Sequence, residues 1–325
     1  MLNNPTHLLS KATRVFKEKG FFSLVQDIKR FFFRYGIKGL DFLDTCSACG
    51  SRDLSLFLKE NPTSLYRCNQ CDLIFFNPLP SKDDLAVFYS SEEGYIPSVR
   101  DYMQVYQNHY SNRVMRYEGF MNRIFERSTI DIKNVLDIGC GYGFFLLYCR
   151  EKGIEPFGVE ISRETSSWAR GQGMEVFTGT VQEAPFRVGS FDLITSFHCL
   201  EHSLDPASEV MNISSLCRNK GLFLLAVPNA FSLVAEDSFS TWKWKSWPSH
   251  LFYFSPKNLK ILLDRAGFDV IEIYSQVGDS DICDDRRAIR KQATLKDEEV
   301  DSTLDRLYDL NKGQELVVIS RKRGA

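Results

Sequence analysis

The sequence predicts an α/β protein with a seven-stranded sheet and helices on both faces, preceded by a smaller cysteine-rich segment. Two observations lead to this prediction. From Asn134 onward, short apolar segments typical of buried strands alternate with helical patterns. The first of these segments runs into a glycine-rich turn, which in parallel sheets marks a ligand site at the carboxyl edge. The predicted strands are residues 134–138, 156–161, 175–178, 191–197, 222–227, 270–274 and 316–320.

Composition sets the first bounds on function. The chain has 325 residues, of which 43% are apolar and 25% charged, as in a globular protein with a substantial core. A net charge of −2 and a pI near 6.3 lack the basic character of nucleic-acid-binding proteins, so we expect no nucleic-acid partner. Nine cysteines, five of them scattered singly, do not form a disulfide framework. With no signal-peptide pattern, this favours a cytoplasmic protein.

Residues 1–45 predict a basic amphipathic helical segment with eight Lys or Arg and four Asp or Glu residues. We favour a helix packed on the main domain or on a second subunit. A peripheral contact with a membrane surface is the alternative. The oligomeric state stays open.

Residues 46–80 predict a zinc ribbon. Cys46 and Cys49 form one C-x2-C pair, and Cys68 and Cys71 form a second pair 18 residues later. Two such pairs can surround a tetrahedral Zn²⁺ with four thiolates, which leaves no open position and indicates a structural metal. Coincidental pairs or a redox dithiol do not explain the doubled spacing. Residues 81–128 predict a helical linker or lid.

The glycine-rich turn is Val135-Leu-Asp-Ile-Gly-Cys-Gly-Tyr-Gly143. Glycines 139 and 141 allow the backbone to approach a ligand closely, because no Cβ stands in the way. The next strand ends at Glu160, 21 residues after Gly139, where an acid can accept hydrogen bonds from both hydroxyls of a ribose. This pair alone is compatible with NAD, but the dinucleotide fingerprint is G-x-G-x-x-G and the spacing here is G-x-G-x-G.

The sequence resembles the class I S-adenosylmethionine-dependent methyltransferases in this turn and in two further blocks. These blocks are Phe191-Asp-Leu-Ile-Thr-Ser-Phe-His-Cys-Leu-Glu-His and His250-Leu-Phe-Tyr-Phe-Ser255. The resemblance implies a Rossmann-like domain over residues 129–325, with S-adenosylmethionine as cofactor. It further implies that the glycine turn approaches the methionine moiety, Glu160 the ribose, and Ile161 and Val181 the adenine. The cofactor residues expected on this basis are Asp137, Gly139, Cys140, Gly141, Glu160, Ile161, Val181 and Phe197.

Three histidines are the candidates for acceptor chemistry. His198 closes the fourth strand, and His202 follows in Leu-Glu-His. His250 begins a block similar to one in sugar methyltransferases that places a histidine beside the acceptor, so we expect it to act as general base. The alternative is that these histidines are structural.

A loop before His250 contains three tryptophans, Trp242, Trp244 and Trp247, which either stack on the acceptor or cap the core. Lys243 and Lys245 either attract an anionic group of the acceptor or are solvated.

The sequence thus predicts an O- or C-directed methyltransferase with a structural zinc, acting on a small molecule such as a sugar, glycan or lipid precursor. One alternative is an NAD-dependent oxidoreductase on the same fold. The other is a non-catalytic protein that binds a partner and retains a vestigial cofactor site.

Overall fold

The computed structural model describes residues 40–60, 63–90, 110–276, 303 and 306–324. The strands are β1 (Leu40–Asp41), β2 (Leu54–Leu58), β3 (Ser64–Cys68), β4 (Ile74–Asn77), β5 (Leu79–Pro80), β6 (Asn134–Ile138), β7 (Glu155–Glu160), β8 (Glu175–Thr178), β9 (Phe191–Phe197), β10 (Cys217–Pro228), β11 (Phe252–Tyr253), β12 (Phe268–Gln276) and β13 (Glu315–Lys322). The α-helices are α1 (Lys82–Ser90), α2 (Tyr110–Arg127), α3 (Phe144–Glu151), α4 (Arg163–Gly171), α5 (Pro206–Leu216), α6 (Leu233–Asp237) and α7 (Pro256–Arg265). Short 3₁₀ turns lie at Leu200–His202 and Phe239–Thr241.

The main sheet has seven strands in the order β12-β13-β10-β9-β6-β7-β8. Strands β6 to β10 pair in parallel, and β13 runs antiparallel to both of its neighbours. Strands such as β9 are buried almost throughout rather than on alternate residues, as expected when helices cover both faces. The predicted seven-stranded α/β fold is therefore confirmed.

Local sequence signals explain where the helices that flank the site begin. Ser162 caps α4 by accepting a hydrogen bond from the Thr165 N–H, and Asp205 caps α5 in the same way. Helix α7 starts with Pro256, preceded by a capping box between Ser255 and Asn258. Helices α4 and α5 thus start on the side of the sheet where the strands before them, β7 and β9, end.

A second, four-stranded sheet has the order β11-β4-β3-β2. Three of its strands come from the cysteine-rich segment, and β11 comes from the block that follows His250. Phe252 pairs with Phe75 and Tyr253 with Ile74, both antiparallel. The cysteine-rich segment is thus joined to the α/β unit by backbone hydrogen bonds.

Some sequence predictions concern residues outside those described. Most of the predicted amphipathic segment lies in residues 1–39, outside the described residues. The alternative prediction, a membrane contact of this segment, concerns the same residues. Of the predicted helical linker at 81–128, helices α1 and α2 are described and residues 91–109 are not. Within the described part of the chain, no helix has the length and apolar character needed to cross a membrane.

Candidate active site

A cavity of about 430 Å³ lies where the parallel strands end, between the sheet and helix α1. This is the edge at which ligands bind in open α/β sheets. The lining residues named by the sequence analysis are Gly139, Glu160, Ile161, Val181, His198 and His202. Helix α1 supplies Lys82, Leu85, Ala86 and Tyr89 from the opposite side.

The glycine turn is closely packed at Gly139. This residue has φ +73°, a conformation that favours glycine, and its N–H donates to the Val159 carbonyl oxygen at 2.8 Å. A Cβ at this position would lie 2.6 Å from the Sγ of Cys199. Because Gly139 has no side chain, the turn can pack against Cys199 near the end of β9. The same feature lets a ligand in the cavity approach the backbone of the turn.

Glu160 ends β7 and is fixed by two backbone donors. The Gly141 N–H donates to its Oε2 and the Ser162 N–H to its Oε1, each at 2.8 Å. Burial raises the pKa of Glu160, and these two hydrogen bonds oppose that rise. The carboxylate is thus held in one orientation at the cavity wall before any ligand arrives.

Four of the residues expected at the cofactor, Asp137, Cys140, Gly141 and Phe197, are not among those that line the cavity, and Gly141 reaches it only through its hydrogen bond to Glu160. Asp137 is buried and accepts a hydrogen bond from the Thr195 hydroxyl at 2.7 Å. Cys140 is also buried, against Gly158. Phe197 packs on Phe120 and Phe145 in the core, with ring centroids 5.2 and 5.1 Å away. Asp137, Cys140 and Phe197 pack among the strand ends, and a motif in a sequence does not distinguish such packing from contact with a ligand.

His198 faces the cavity but is held by two carboxylates. Its Nε2 lies 2.5 Å from Glu315 Oε1, and its Nδ1 lies 3.5 Å from Glu201 Oε1. Burial lowers the pKa of His198, but the two carboxylates outweigh burial and raise it to about 9. His198 is therefore an imidazolium at neutral pH and is not a proton acceptor. Glu315 starts β13 and was not identified from sequence.

His202 also lines the cavity, and its orientation is fixed. Its Nδ1 lies 2.8 Å from the Ser249 carbonyl oxygen and 3.0 Å from the Tyr89 hydroxyl. Because a carbonyl oxygen only accepts, the proton of the imidazole is on Nδ1, and Nε2 carries a lone pair. Burial lowers the pKa of His202, so the ring is neutral at neutral pH. Tyr89 on α1 is a further residue that the sequence analysis missed.

His250 lies behind His202 and is not among the cavity-lining residues. Their rings meet edge to face with centroids 4.7 Å apart, and Trp244 stacks on His250 at 5.8 Å. Burial and the neighbouring His202 lower the pKa of His250 to about 3. The surrounding ring faces remove the water that would stabilise the charged form of the His250 imidazole.

The tryptophan loop is built mainly into the core. Trp242 is 3% exposed and packs on Tyr253, while Trp247 packs on Phe76 of the cysteine-rich segment. Trp244 stacks on both His198 and His250. Of the two lysines in this loop, Lys245 is paired with Glu60. Core packing thus accounts for Trp242 and Trp247 better than stacking on an acceptor.

The four cysteines of the ribbon converge at one point. Their sulfur atoms all lie within 4.8 Å of one another, with Cys46 to Cys71 at 3.4 Å and Cys49 to Cys68 at 3.5 Å. The hydrogen bond from Cys71 lowers the pKa of Cys46 to about 5. Four sulfurs at this spacing suit a tetrahedral metal site.

Comparison with known proteins agrees with this architecture. A family model described as a methyltransferase domain matches residues 16–273. A ubiquinone biosynthesis O-methyltransferase of Hahella chejuensis is 28% identical over 169 residues, which cover 46% of this chain and 68% of the relative. The C-methyltransferase NovU of Streptomyces niveus is 27% identical over 146 residues, covering 43% of this chain and 34% of NovU.

Among solved structures, a SAM-dependent methyltransferase from Archaeoglobus fulgidus aligns with 68% of this chain and 99% of its own, at 24% identity and a TM-score of 0.48. The family match decides against the NAD-dependent oxidoreductase and the non-catalytic alternatives. Because the methyltransferase model spans well over half of the sequence, the chain belongs to the methyltransferase domain family and is a class I S-adenosylmethionine-dependent methyltransferase.

Proposed function

We propose that this enzyme transfers a methyl group to an oxygen or carbon of a small molecule, a sugar, glycan or lipid precursor. The observation that carries the proposal is the composition of a single cavity. Gly139, Glu160 and Ile161 line one part of it, while His198 and His202 line another. A donor held at the first group can thus face an acceptor held at the second, which is the geometry that in-line methyl transfer needs.

The donor end fits S-adenosylmethionine. Gly139 offers a wall without a side chain, and Glu160 offers a carboxylate already oriented by the Gly141 and Ser162 N–H groups. We assign Glu160 to the ribose hydroxyls, Ile161 and Val181 to the adenine, and the turn at Gly139 and Gly141 to the methionine moiety. Asp137, Cys140 and Phe197 support this end from the core. The cofactor supplies an activated methyl group, and the protein supplies its orientation.

The acceptor end combines a cation with a neutral imidazole. His198 is charged at neutral pH, and because its two ring nitrogens face Glu315 and Glu201, we assign it to the wall of this end rather than to a hydrogen bond with the acceptor. We place the reacting group beside His202, whose Nε2 has a lone pair available for a proton or a cation. We propose that His250 holds the His202 ring in position and does not itself accept a proton from the acceptor, because His250 is buried behind His202.

Relatives support this acceptor class only in outline. Two of them are named for their reactions, a ubiquinone biosynthesis O-methyltransferase and the C-methyltransferase NovU. Both reactions require the acceptor to lose a proton, which suits a cavity containing a neutral imidazole.

We also propose that Cys46, Cys49, Cys68 and Cys71 bind one structural Zn²⁺. The convergence of four sulfurs supports this, and four sulfur ligands leave no position for a substrate. We retain the division into a helical segment at 1–45, a zinc ribbon at 46–80, a helical linker at 81–128 and a methyltransferase domain at 129–325. We retain a cytoplasmic location, because the spacing of the cysteines in the sequence is not that of a disulfide framework.

The proposed function is tested by incubating the purified chain with S-adenosylmethionine labelled in the methyl group and with fractionated small-molecule extracts. Nucleotide sugars, glycans and polar lipid precursors are assayed separately. We expect label in one of these fractions as an O- or C-methyl group, and His202→Gln should abolish most of it. Label found only on protein or nucleic acid would contradict the proposal.

A further inference from the structure

We propose that Glu201, His202 and His250, termed here the acceptor triad, bind a divalent transition-metal cation beside the acceptor. The proposal rests on the proposed function, because it concerns the acceptor end of the same cavity. It adds a second metal to the enzyme, distinct in place and in ligand chemistry from the cysteine site.

The geometry of the triad is that of a ligand set. One ligand atom from each of the three residues lies within 4.8 Å of those of the other two. A cation binds carboxylate oxygen and imidazole nitrogen at about 2.0–2.2 Å, so small side-chain movements would bring the three atoms into its coordination sphere. No ligand comes from a surface loop tip, since Glu201 and His250 are 1% and 7% exposed.

The triad also contains polar atoms that the described part of the protein leaves without hydrogen bonds. Both carboxylate oxygens of Glu201 and the Nδ1 of His250 are buried and have no hydrogen-bond partner among the described residues. Burying a carboxylate in this state is costly unless a charge or a ligand compensates it. His198 is a cation beside this carboxylate, with Nδ1 3.5 Å from Glu201 Oε1, but its shorter contact is with Glu315. A cation bound by one carboxylate oxygen of Glu201 and one nitrogen of each ring would compensate the buried charge of Glu201.

Two distant segments are fixed together so that the triad forms. Glu201 and His202 lie in the 3₁₀ turn after β9, and His250 lies just before β11. The Leu251 N–H donates to the Glu201 carbonyl oxygen at 2.7 Å, and His202 Nδ1 donates to the Ser249 carbonyl oxygen at 2.8 Å. The second bond is of the kind that orients metal-binding histidines, because it leaves Nε2 free to act as a ligand.

The chemistry of the three donors indicates the class of cation. Two imidazoles and one carboxylate suit Zn²⁺, Fe²⁺, Co²⁺ or Mn²⁺ better than Ca²⁺ or Mg²⁺, which prefer all-oxygen sites. Three protein ligands leave coordination positions open, unlike the four-sulfur site. Since His202 lines the cavity, an open position can face the acceptor, whose hydroxyl would bind there and ionise more readily.

The test uses the full chain with its ribbon metal in place and titrates it with Mn²⁺, followed by electron paramagnetic resonance. Mn²⁺ prefers oxygen and nitrogen over thiolate ligands and so reports on the triad rather than on the cysteines. We expect about one saturable Mn²⁺ site per chain. Glu201→Gln and His250→Gln should each weaken Mn²⁺ binding about tenfold to hundredfold or more. Glu183→Gln is the matched control, since Glu183 is an exposed acid of the same cavity outside the triad and should leave Mn²⁺ affinity unchanged.

The outcomes separate this proposal from the proposed function. Absence of saturable Mn²⁺, Co²⁺ or Zn²⁺ binding beyond the ribbon metal in the wild-type chain would overturn it, whatever the variants do. Unchanged Mn²⁺ affinity in both triad variants, with folding verified by circular dichroism, would also overturn it. Calorimetric binding of S-adenosylmethionine is measured on the same samples. If the chain binds S-adenosylmethionine but the triad binds no cation, only the metal site is refuted. If both cofactor binding and methyl transfer fail, the proposed function is refuted.

Discussion

The Sγ atom of Cys199 lies 2.6 Å from the point at which a side chain on residue 139 would begin. This contact joins the glycine turn after β6 to the first residues after β9, the two strand ends that frame the cavity. Any substitution at position 139 therefore displaces the turn or Cys199 before it affects a ligand.

Gly139→Ala should lower the free energy of unfolding for two separable reasons. The positive φ costs an L residue about 1–2 kcal/mol, and the contact with Cys199 adds a steric penalty. In a Cys199→Gly background the steric part should disappear, giving a coupling of about 0.5–3 kcal/mol in a double-mutant cycle by denaturant unfolding. An equal cost of Gly139→Ala in both backgrounds would show that the packing contact has no effect.

Asp137 should make stability depend on pH between about 4 and 7. Burial raises its pKa to about 7, with the charge of Glu160 adding to the rise and the Thr195 hydroxyl opposing it. The folded state thus holds a proton that the unfolded state, with a pKa of 3.8, releases. The contribution of Asp137 is fully favourable below pH 3.8 and is lost as pH rises through about 7.

Asp137→Asn keeps an acceptor for Thr195 and has no proton to release. The variant should therefore gain stability relative to wild type as pH rises from 4 to 7, by up to about 4 kcal/mol. Urea unfolding at several pH values measures this gain. Glu155→Gln, which changes an exposed acid on the adjacent strand, is the matched control. If the difference in unfolding free energy between Asp137→Asn and the wild type is constant over this pH range, the prediction that buried Asp137 holds a proton is wrong.

Cys46→Ser should remove the ribbon metal and destabilise the four-stranded sheet. Three sulfurs do not complete the tetrahedral site, and metal binding is coupled to folding of such segments. Elemental analysis should find about one zinc per chain fewer in the variant than in the wild type. Cys149→Ala, which removes a buried cysteine outside the cluster, should retain the metal. A wild-type chain that folds normally with little zinc would argue against the site.

His202→Gln and His250→Gln should each lower kcat about 10²–10⁴-fold while leaving the Kd for S-adenosylmethionine near that of the wild type. The reason is that His202 lines the acceptor end of the cavity, His250 packs behind His202, and we assign neither residue to the cofactor. Ser249→Ala is a matched control, because the bond to His202 comes from the Ser249 backbone carbonyl and survives the change. A loss of less than about tenfold in kcat for both variants would make these histidines structural.

The sequence predicted the main sheet well because its strands are long, apolar and regularly separated by helices. Three of the seven predicted strands, 134–138, 175–178 and 191–197, have the observed bounds, and the others differ by a few residues at their ends. Strand ends depend on pairing partners, which a single sequence does not reveal. The extension of β10 to Cys217, for example, follows from its pairing with Phe191 across a register shift.

The candidate site was predicted less completely, because its properties depend on residues far apart in sequence. The high pKa of His198 depends on Glu315, which enters from β13. The pairing of β11 with β4 involves only two residues of β11, too few for any periodic pattern. Glu201 is part of the Leu-Glu-His block in the sequence. Its burial and its closeness to His250 depend on the fold, which brings two distant segments together.

The central claim is that the cavity binds S-adenosylmethionine through Glu160, and isothermal titration calorimetry with three proteins tests it most directly. The wild-type chain should bind one S-adenosylmethionine, and Glu160→Gln should bind it about tenfold to hundredfold more weakly, since a charge-assisted hydrogen bond is worth about 1.5–3 kcal/mol. Glu155→Gln, at the opposite, exposed end of the same strand, should bind like the wild type. Equal affinity for S-adenosylmethionine in all three proteins would contradict the account.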